Sequence, residues 1–521
     1  MRSHVRWMAV AGVVTLAGCG GSSDSSTTST TSWTPGVFAA SSTFINRCAS
    51  PRTGTDPYTG QRYPDMPGSA LTENHFLRSW TNELYLWYRE VPDLDPSIYT
   101  TAAYFPLLRT SAITPSGAAK DRFHFTYTTA EWDAMSQSGV SAGYGAEFIV
   151  IAAKPPRLVK VAFTQPNSAA ALPPASLLRG AEVKTVDGVD VVNASSSASV
   201  ATLNEGLFPS QVGASHTFGI LDPGATSTRT VTMVSASITS TPVQNVETIA
   251  GGGGSVGYML FNDHIATSEA GLVDAFTHLK SAGVTDLVLD IRYNGGGYLD
   301  IASEVAYMIA GPANTSGKTF ERTVFNDQYS TTDPVTGAPI TPIGFHSTGQ
   351  GFSVSTGQAL PSLGLSRVVL LTGANTCSAS ESIINSLRGA GVEVILVGGT
   401  TCGKPYGFYP QDNCGTTYFS IEFKGVNNQG FGDYPDGFSP ANLGGSVGVP
   451  VPGCAVADDF GHALGDSTEG RLSAALGYLA SGTCPAPTSG SRPAVAAAAA
   501  APLPEGLLYR SPFRENRILR R

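Results

Sequence analysis

The sequence predicts a multidomain α/β protein: an α/β core, preceded by a β-rich domain and an aromatic, helical N-terminal segment. Three observations carry this reading. From residue 250 to 484, continuous apolar strands alternate with amphipathic helices, the pattern of a largely parallel sheet covered on its faces. Between 138 and 245 the apolar runs are short and separated by Gly, Pro and Asn, as in small antiparallel sheets. Between 66 and 137, Phe76, Trp80, Leu84, Leu86 and Trp87 recur at near-helical spacing. At 521 residues, two or three domains are expected.

The first 19 residues have the composition of an export signal. Arg2 and Arg6 precede an apolar stretch, Trp7 to Leu16, too short for a permanent bilayer span. Leu16-Ala17-Gly18-Cys19 resembles a bacterial lipobox, which implies lipidation at Cys19 and, with Gly20 rather than Asp following, outer-membrane sorting towards the periplasm. An ordinary cleaved signal with an incidental cysteine is the alternative. Residues 20–65 open on Gly, Ser and Thr and are expected to be a flexible tether. The helical segment 66–137 ends its first helix at Val91-Pro92-Asp93, and its aromatic stripe reads as a packed face.

In the β-rich stretch, Gly143-Tyr144-Gly145-Ala146 precedes the strand Phe148 to Ile151, and Leu178 to Val189 contains Arg-Gly-Ala-Glu-Val-Lys-Thr-Val-Asp-Gly. In this order the two segments resemble a PDZ domain. The resemblance implies a carboxylate-binding loop at Gly143, Tyr144, Gly145 and Ala146, with a peptide C-terminus added as a strand. Gly251 to Gly254 then reads as a glycine hinge. Beyond it come a strand ending at Phe261, a helix with Leu272, Phe276 and Leu279 on one face, and the strand Leu287 to Ile291. A glycine turn leads to a helix carrying Ile301, Val305 and Ile309; later come the strand Val368 to Leu371, a helix from Ser378 and the strand Val392 to Val397. Residues 485–521 are rich in Ala, Pro and Arg and are expected to be disordered.

Chemistry concentrates at the strand exits. Ser378 heads a helix, Lys404 lies 26 residues later in Gly403-Lys404, and Asp290-Ile291-Arg292-Tyr293-Asn294-Gly295-Gly296-Gly297 follows an earlier strand. A serine there is ordinarily a helix cap, and a lysine in a glycine-rich turn is ordinarily solvated. Together with the glycines they make a nucleophile, an amine base and a pocket of backbone N–H groups. Gly295 or Gly296, with Ala379, is the expected oxyanion hole. An ordinary lysine is almost wholly charged at neutral pH, so Lys404 acts as a base only if desolvation lowers its pKa towards about 7 to 8. Gly253-to-Gly257 and Gly444-to-Gly448 match G-x-S-x-G, but neither serine has the strand-to-helix setting a nucleophile elbow requires.

D-x-R-x-N-G-G-G, then S-A-S-E, then G-K, behind a PDZ-like segment, resembles the C-terminal processing (tail-specific) serine peptidases over roughly residues 75 to 480. The resemblance implies a crotonase-like (ClpP/crotonase-type) catalytic core, Ser378 as nucleophile, Lys404 as general base, and no cofactor. Several members hold the lysine with a Gln four residues on; here that place is Phe408, which leaves Glu381 or Tyr406 as the orienter. The rival readings are a non-catalytic peptide- or ligand-binding envelope protein reusing the fold, and an envelope scaffold.

Composition narrows the partners. The formal charge is −9; the first 19 residues carry +2 and the last 37 carry +4, so the stretch between them stands at −15. An acidic body excludes nucleic acid as the expected partner and leaves protein or peptide substrates, with the membrane reached through Cys19. Eight scattered histidines without H-E-x-x-H, and no C-x-x-C, give no expectation of a metal. Cys48, Cys377, Cys402, Cys414, Cys454 and Cys484 make an even six in an exported chain, hence disulfides. Cys402 with Cys414 would brace the Lys404 loop and Cys454 with Cys484 the last helix, leaving Cys48 and Cys377.

Overall fold

A computed structural model describes residues 32–485, except 252–253, and the short segment 516–518. The expected signal segment, Cys19 and almost all of the tail lie outside the described residues. Among the described residues no helix is long and apolar enough to cross a membrane.

The core is a six-stranded sheet in the order Val243–Gly251, Gly254–Phe261, Asp286–Asp290, Arg367–Thr372, Glu393–Gly398, Gly453–Ala455. Its first pair is antiparallel and every later pair parallel. The central strands are apolar on both faces because both faces are covered. Alternate side chains point to opposite faces: Leu287, Leu289, Leu370 and Leu396 enter one cluster, Val288, Val369, Leu371 and Val397 the other. On the first face lie the helices Ser268–Ser281, Leu299–Thr315 and Ala379–Gly389, supplying Leu272, Phe276, Val305, Ile383 and Leu387. The second face takes Leu472, Ala475 and Leu479 from the helix Gly470–Ser481, and Ala162 and Phe163 from the β-rich domain. The loops 291–298, 373–378 and 399–405 all leave the carboxyl ends of three adjacent parallel strands, the usual place for a site in such a sheet.

The β-rich domain is an antiparallel sheet in the order Arg229–Val234, Ser215–Leu221, Glu182–Val186, Leu158–Thr164, Ala146–Ala152. The helix Ser197–Leu207 closes it, with Leu203 and Leu207 against Val183, Phe218 and Ile220. In the N-terminal segment, the helix Ala70–Leu84 starts at a capping box in which the Ser69 hydroxyl accepts the Thr72 N–H and the Thr72 hydroxyl accepts the Ser69 N–H. The strand Phe125–Thr128 pairs antiparallel with Thr416–Phe419, so this segment is stitched onto the hairpin Gln411–Phe419.

Three expectations are corrected. The tether does not extend to residue 65: Phe44 and Cys48 are buried, Arg47–Cys48 pairs with Met66–Pro67, and the Gly36 N–H donates to Asp93. The glycine hinge is a hairpin turn. Val243–Gly251 pairs back on Gly254–Phe261 with Gly251 opposite Gly254, so residues from 243 on belong to the core sheet. The disulfides are Cys48–Cys414, Cys377–Cys402 and Cys454–Cys484; only the last is the expected pair. The Asn46 N–H donates to Asn413 Oδ1, which draws the preceding segment onto the hairpin at Cys414 and leaves Cys402 for Cys377.

Candidate active site

The loop after Arg367–Thr372 ends in a backbone shape that side chains rarely adopt. Ser378 has φ 59° and ψ −112°, and Ala379–Gly389 begins immediately after it. Such a conformation costs on the order of 1–3 kcal/mol and persists only where its surroundings impose it. The Ser378 hydroxyl makes no capping bond, and its buried Oγ has no hydrogen-bond partner. It is a serine at a helix start that does not serve the helix.

Glu381, one turn along, holds the site together. Its Oε2 accepts the N–H of Ser378 at 2.9 Å and that of Lys404 at 2.8 Å; its Oε1 accepts the Gly403 N–H at 2.8 Å and the Thr401 hydroxyl at 2.5 Å. One carboxylate oxygen therefore joins the backbones of Ser378 and Lys404. Burial pushes the Glu381 pKa up, and these hydrogen bonds oppose it without cancelling it. Glu381 thus orients the main chain on both sides of the site. Replacing it by Gln sets an NH₂ group against these donors. We expect kcat to fall about a hundredfold, with about 2–3 kcal/mol lost in stability from unpaired buried donors; steady-state kinetics and thermal unfolding check this.

Lys404 is fully buried. Its Nζ lies 4.8 Å from the ring centre of Phe123 and 4.5 Å from that of Phe408. The rings attract the ammonium form, by up to about 2 kcal/mol, whereas removal from water disfavours the charge. Phe408 therefore makes one wall of the lysine's compartment. Tyr406, the other candidate orienter, packs edge-on against Trp87 with ring centres 4.7 Å apart.

The glycine loop is stapled to the serine loop through Asn294, whose carbonyl accepts the Cys377 N–H at 3.1 Å and the Ser380 hydroxyl at 3.0 Å. The Asn294 side chain accepts the Gly296 N–H at 2.9 Å. Gly296 is thus removed from the expected oxyanion hole, because its donor is already spent. The N–H groups of Gly295 and Ala379 take no such bond among the described residues. His264 backs the loop: its carbonyl accepts the Tyr298 N–H, its N–H donates to Gly296, and its Nδ1 lies 3.0 Å from Asn294 Oδ1. Burial pushes its pKa down to about 3, so the imidazole is neutral at physiological pH. Gly297, at φ +137°, must be glycine, since a Cβ there would sit 2.4 Å from the His264 carbonyl oxygen.

Through Glu381 and Asn294, the loops that carry Ser378, Ala379, Lys404 and Gly295 are therefore bonded together. Sequence reasoning missed Phe123 and His264, which lie far away in the chain and in no motif. It quoted Asn294 within the glycine motif without giving it a role. The loop Gly143 to Ala146 belongs to the β-rich domain. The Tyr144 side chain is buried there, its hydroxyl donating to the Gly206 carbonyl, while its own carbonyl accepts the Ala170 N–H. Ala146–Ala152 is the edge strand of its sheet. The glycine strand Gly296–Tyr298 also has a partner, the segment Asn516–Ile518, which runs parallel to it with Gly296 opposite Asn516.

Residues 255–408 match the sequence model of Peptidase family S41. That span holds the Asp290-to-Gly297 loop, Ser378 and Lys404. A carboxyl-terminal-processing protease of Picosynechococcus sp. (strain ATCC 27264 / PCC 7002 / PR-6) is 23% identical over 223 residues, covering 43% of this chain and 45% of that protein. The match therefore spans less than half of the relative's length. Among solved structures, one from Bacteroides fragilis NCTC 9343, described as a "Putative S41 protease", superposes with a TM-score of 0.57 at 21% identity, over 81% of this chain and 98% of the other. A photosystem II D1 C-terminal processing protease gives a TM-score of 0.42 at 21% identity, over 72% and 92% of the two chains. The architecture is thus a multidomain α/β, S41 protease-like fold.

Proposed function

We propose, on the premise of a Peptidase family S41 domain over residues 255–408, that this chain is an exported serine endopeptidase working through Ser378 and Lys404. The observation that carries the reading is the single carboxylate oxygen of Glu381 bonded to the N–H of both residues. It fixes the two loops against each other around a serine whose hydroxyl has no structural task.

In the proposed reaction Ser378 Oγ attacks the scissile carbonyl carbon while the neutral amine of Lys404 takes the hydroxyl proton. The N–H groups of Gly295 and Ala379 receive the developing oxyanion. As the C–N bond breaks, the lysine returns its proton to the leaving amine. Water then attacks the acyl-serine, again with Lys404 as base, releasing the acid and restoring the serine. The strand pairing at Gly296–Tyr298 supports a peptide as substrate, because this edge accepts an extended polypeptide. The test of the whole reading is hydrolysis of an unstructured protein by the wild-type chain and its loss in Ser378→Ala.

In this proposal the β-rich domain acts as a PDZ module, and its edge strand Ala146–Ala152 takes the C-terminus of the substrate. The exposed side chain of Ile151 on that edge strand, at 46% accessibility, is consistent with an unfilled position. A peptide with a free C-terminal carboxylate should bind at least about tenfold more tightly than its amide; equal affinities in a fluorescence titration would remove this part. Export and a lipid anchor at Cys19 complete the proposal. Mass spectrometry of the mature N-terminal peptide tests them.

A further inference from the structure

We propose that the Cys377–Cys402 disulfide is a positioning device for catalysis, so that the site is competent only when this one pair is oxidised. The inference rests on the peptidase reading of Ser378 and Lys404. Cys377 directly precedes Ser378, and Cys402 stands two residues before Lys404. Their Cα atoms are 5.1 Å apart across 25 residues of sequence.

The location explains why a covalent link matters here. Arg367–Thr372 and Glu393–Gly398 are paired in register up to Thr372 opposite Gly398. Past that point the ladder stops, and the two loops carrying the reactive groups emerge side by side. Three ties then hold them together: the Cys402 N–H on the Thr376 carbonyl at 2.9 Å, the Glu381 carboxylate, and the disulfide. Ser378 is held at positive φ, and Lys404 is held buried between two rings. Releasing either loop lets both relax. The other two disulfides act elsewhere: Cys48–Cys414 fastens the N-terminal segment to a hairpin, and Cys454–Cys484 fastens the last helix to the sheet edge.

Reduction has a defined route. Cys377 is fully buried, whereas Cys402 is only half-buried, so a dithiol thiolate attacks the Cys402 sulfur. The S–S bond breaks and Cys377 leaves as a thiolate, which takes up a proton. The second thiol of the reductant then displaces Cys402, giving two protein thiols and one oxidised, cyclic reductant. Two electrons and two protons enter the protein. A peptidase built this way is idle wherever thiols are kept reduced and becomes active in an oxidising compartment.

The experiment uses the full chain in buffers of graded oxidised and reduced dithiothreitol. Peptide hydrolysis, the thiol state of each cysteine by mass mapping, and near-UV circular dichroism are followed together. As the Cys377–Cys402 pair is reduced, kcat should fall about a hundredfold, with little change in KM. The alkaline rise of the pH–rate profile should move to higher pH as Lys404 becomes solvated. Cys48→Ala/Cys414→Ala and Cys454→Ala/Cys484→Ala should keep that redox response; Cys377→Ala/Cys402→Ala should be slow and indifferent to redox. Unchanged kcat and pH profile on reduction of this pair, or loss of activity only with loss of the near-UV signal, overturns the inference. Absence of hydrolysis by the fully oxidised wild type overturns instead the peptidase reading beneath it.

Discussion

Replacing Lys404 by Met is expected to lower kcat by about 10⁴-fold, the upper range for removing a general base, while the protein stays folded. Met fills much of the same space between Phe123 and Phe408, so packing is largely kept. Lys404→Arg should be no better, because a guanidinium keeps its proton at any working pH and adds bulk to a closed compartment. Ser378→Ala should remove turnover at least as completely, since it removes the proposed nucleophile. In the wild type, activity should rise with pH through one ionisation, as the lysine passes from ammonium to amine. The direction follows from the role: a base works only when deprotonated. A Lys404→Met variant retaining a tenth of wild-type kcat would place the base elsewhere.

The largest stability effect is expected at Arg292, which supports the glycine loop from below. Its guanidinium is buried and bonded to Asp290, Asp458 and Glu469, with both Nη atoms reaching the Glu469 carboxylate at 2.7 and 2.9 Å. Arg292→Met would leave these carboxylates without the cation they surround. We expect a cost of about 3–5 kcal/mol and a fall in Tm of about 10 °C. Burial alone would push the pKa of Asp458 up, but Arg471, Arg292 and Arg179 hold it well below the usual carboxylate range. Glu469 likewise is lowered against burial by Arg292. Depressed folded-state values mean that this stabilisation is fully present above the ordinary carboxylate range, near pH 4, and is lost as pH falls below it. Thermal unfolding between pH 7 and pH 3 should show a shallower acid-side decline in the variant.

The parts of the fold written in local periodicity could be read in advance. Leu287-Val288-Leu289 and Val369-Leu370-Leu371 are apolar on both faces, which is what a covered parallel strand requires. The glycines after Asp290, the serine at a helix head and the lysine after a strand all sit at strand exits, and position in such a sheet is chemically informative. Contacts between distant segments left no such trace. Phe123 reaches Lys404 across 281 residues because Phe125–Thr128 pairs with Thr416–Phe419. Cys48 finds Cys414 across 366 residues, and six cysteines alone cannot say so. The strand Val243–Gly251 was hidden by its polar residues, Gln244, Asn245, Glu247 and Thr248, as expected of an edge exposed on one side. Asn294 illustrates a finer limit: a motif locates a donor such as the Gly296 N–H, but only geometry shows that a neighbouring side chain has already taken it.

The most direct measurement is labelling of the oxidised protein with a fluorophosphonate probe, followed by peptide mapping. A Ser378 nucleophile paired with Lys404 gives a stoichiometric adduct on Ser378, a labelling rate that increases with pH, and almost no label in Lys404→Met. Labelling of a different serine, or an unreactive Ser378 in a protein that still hydrolyses peptides, would contradict it.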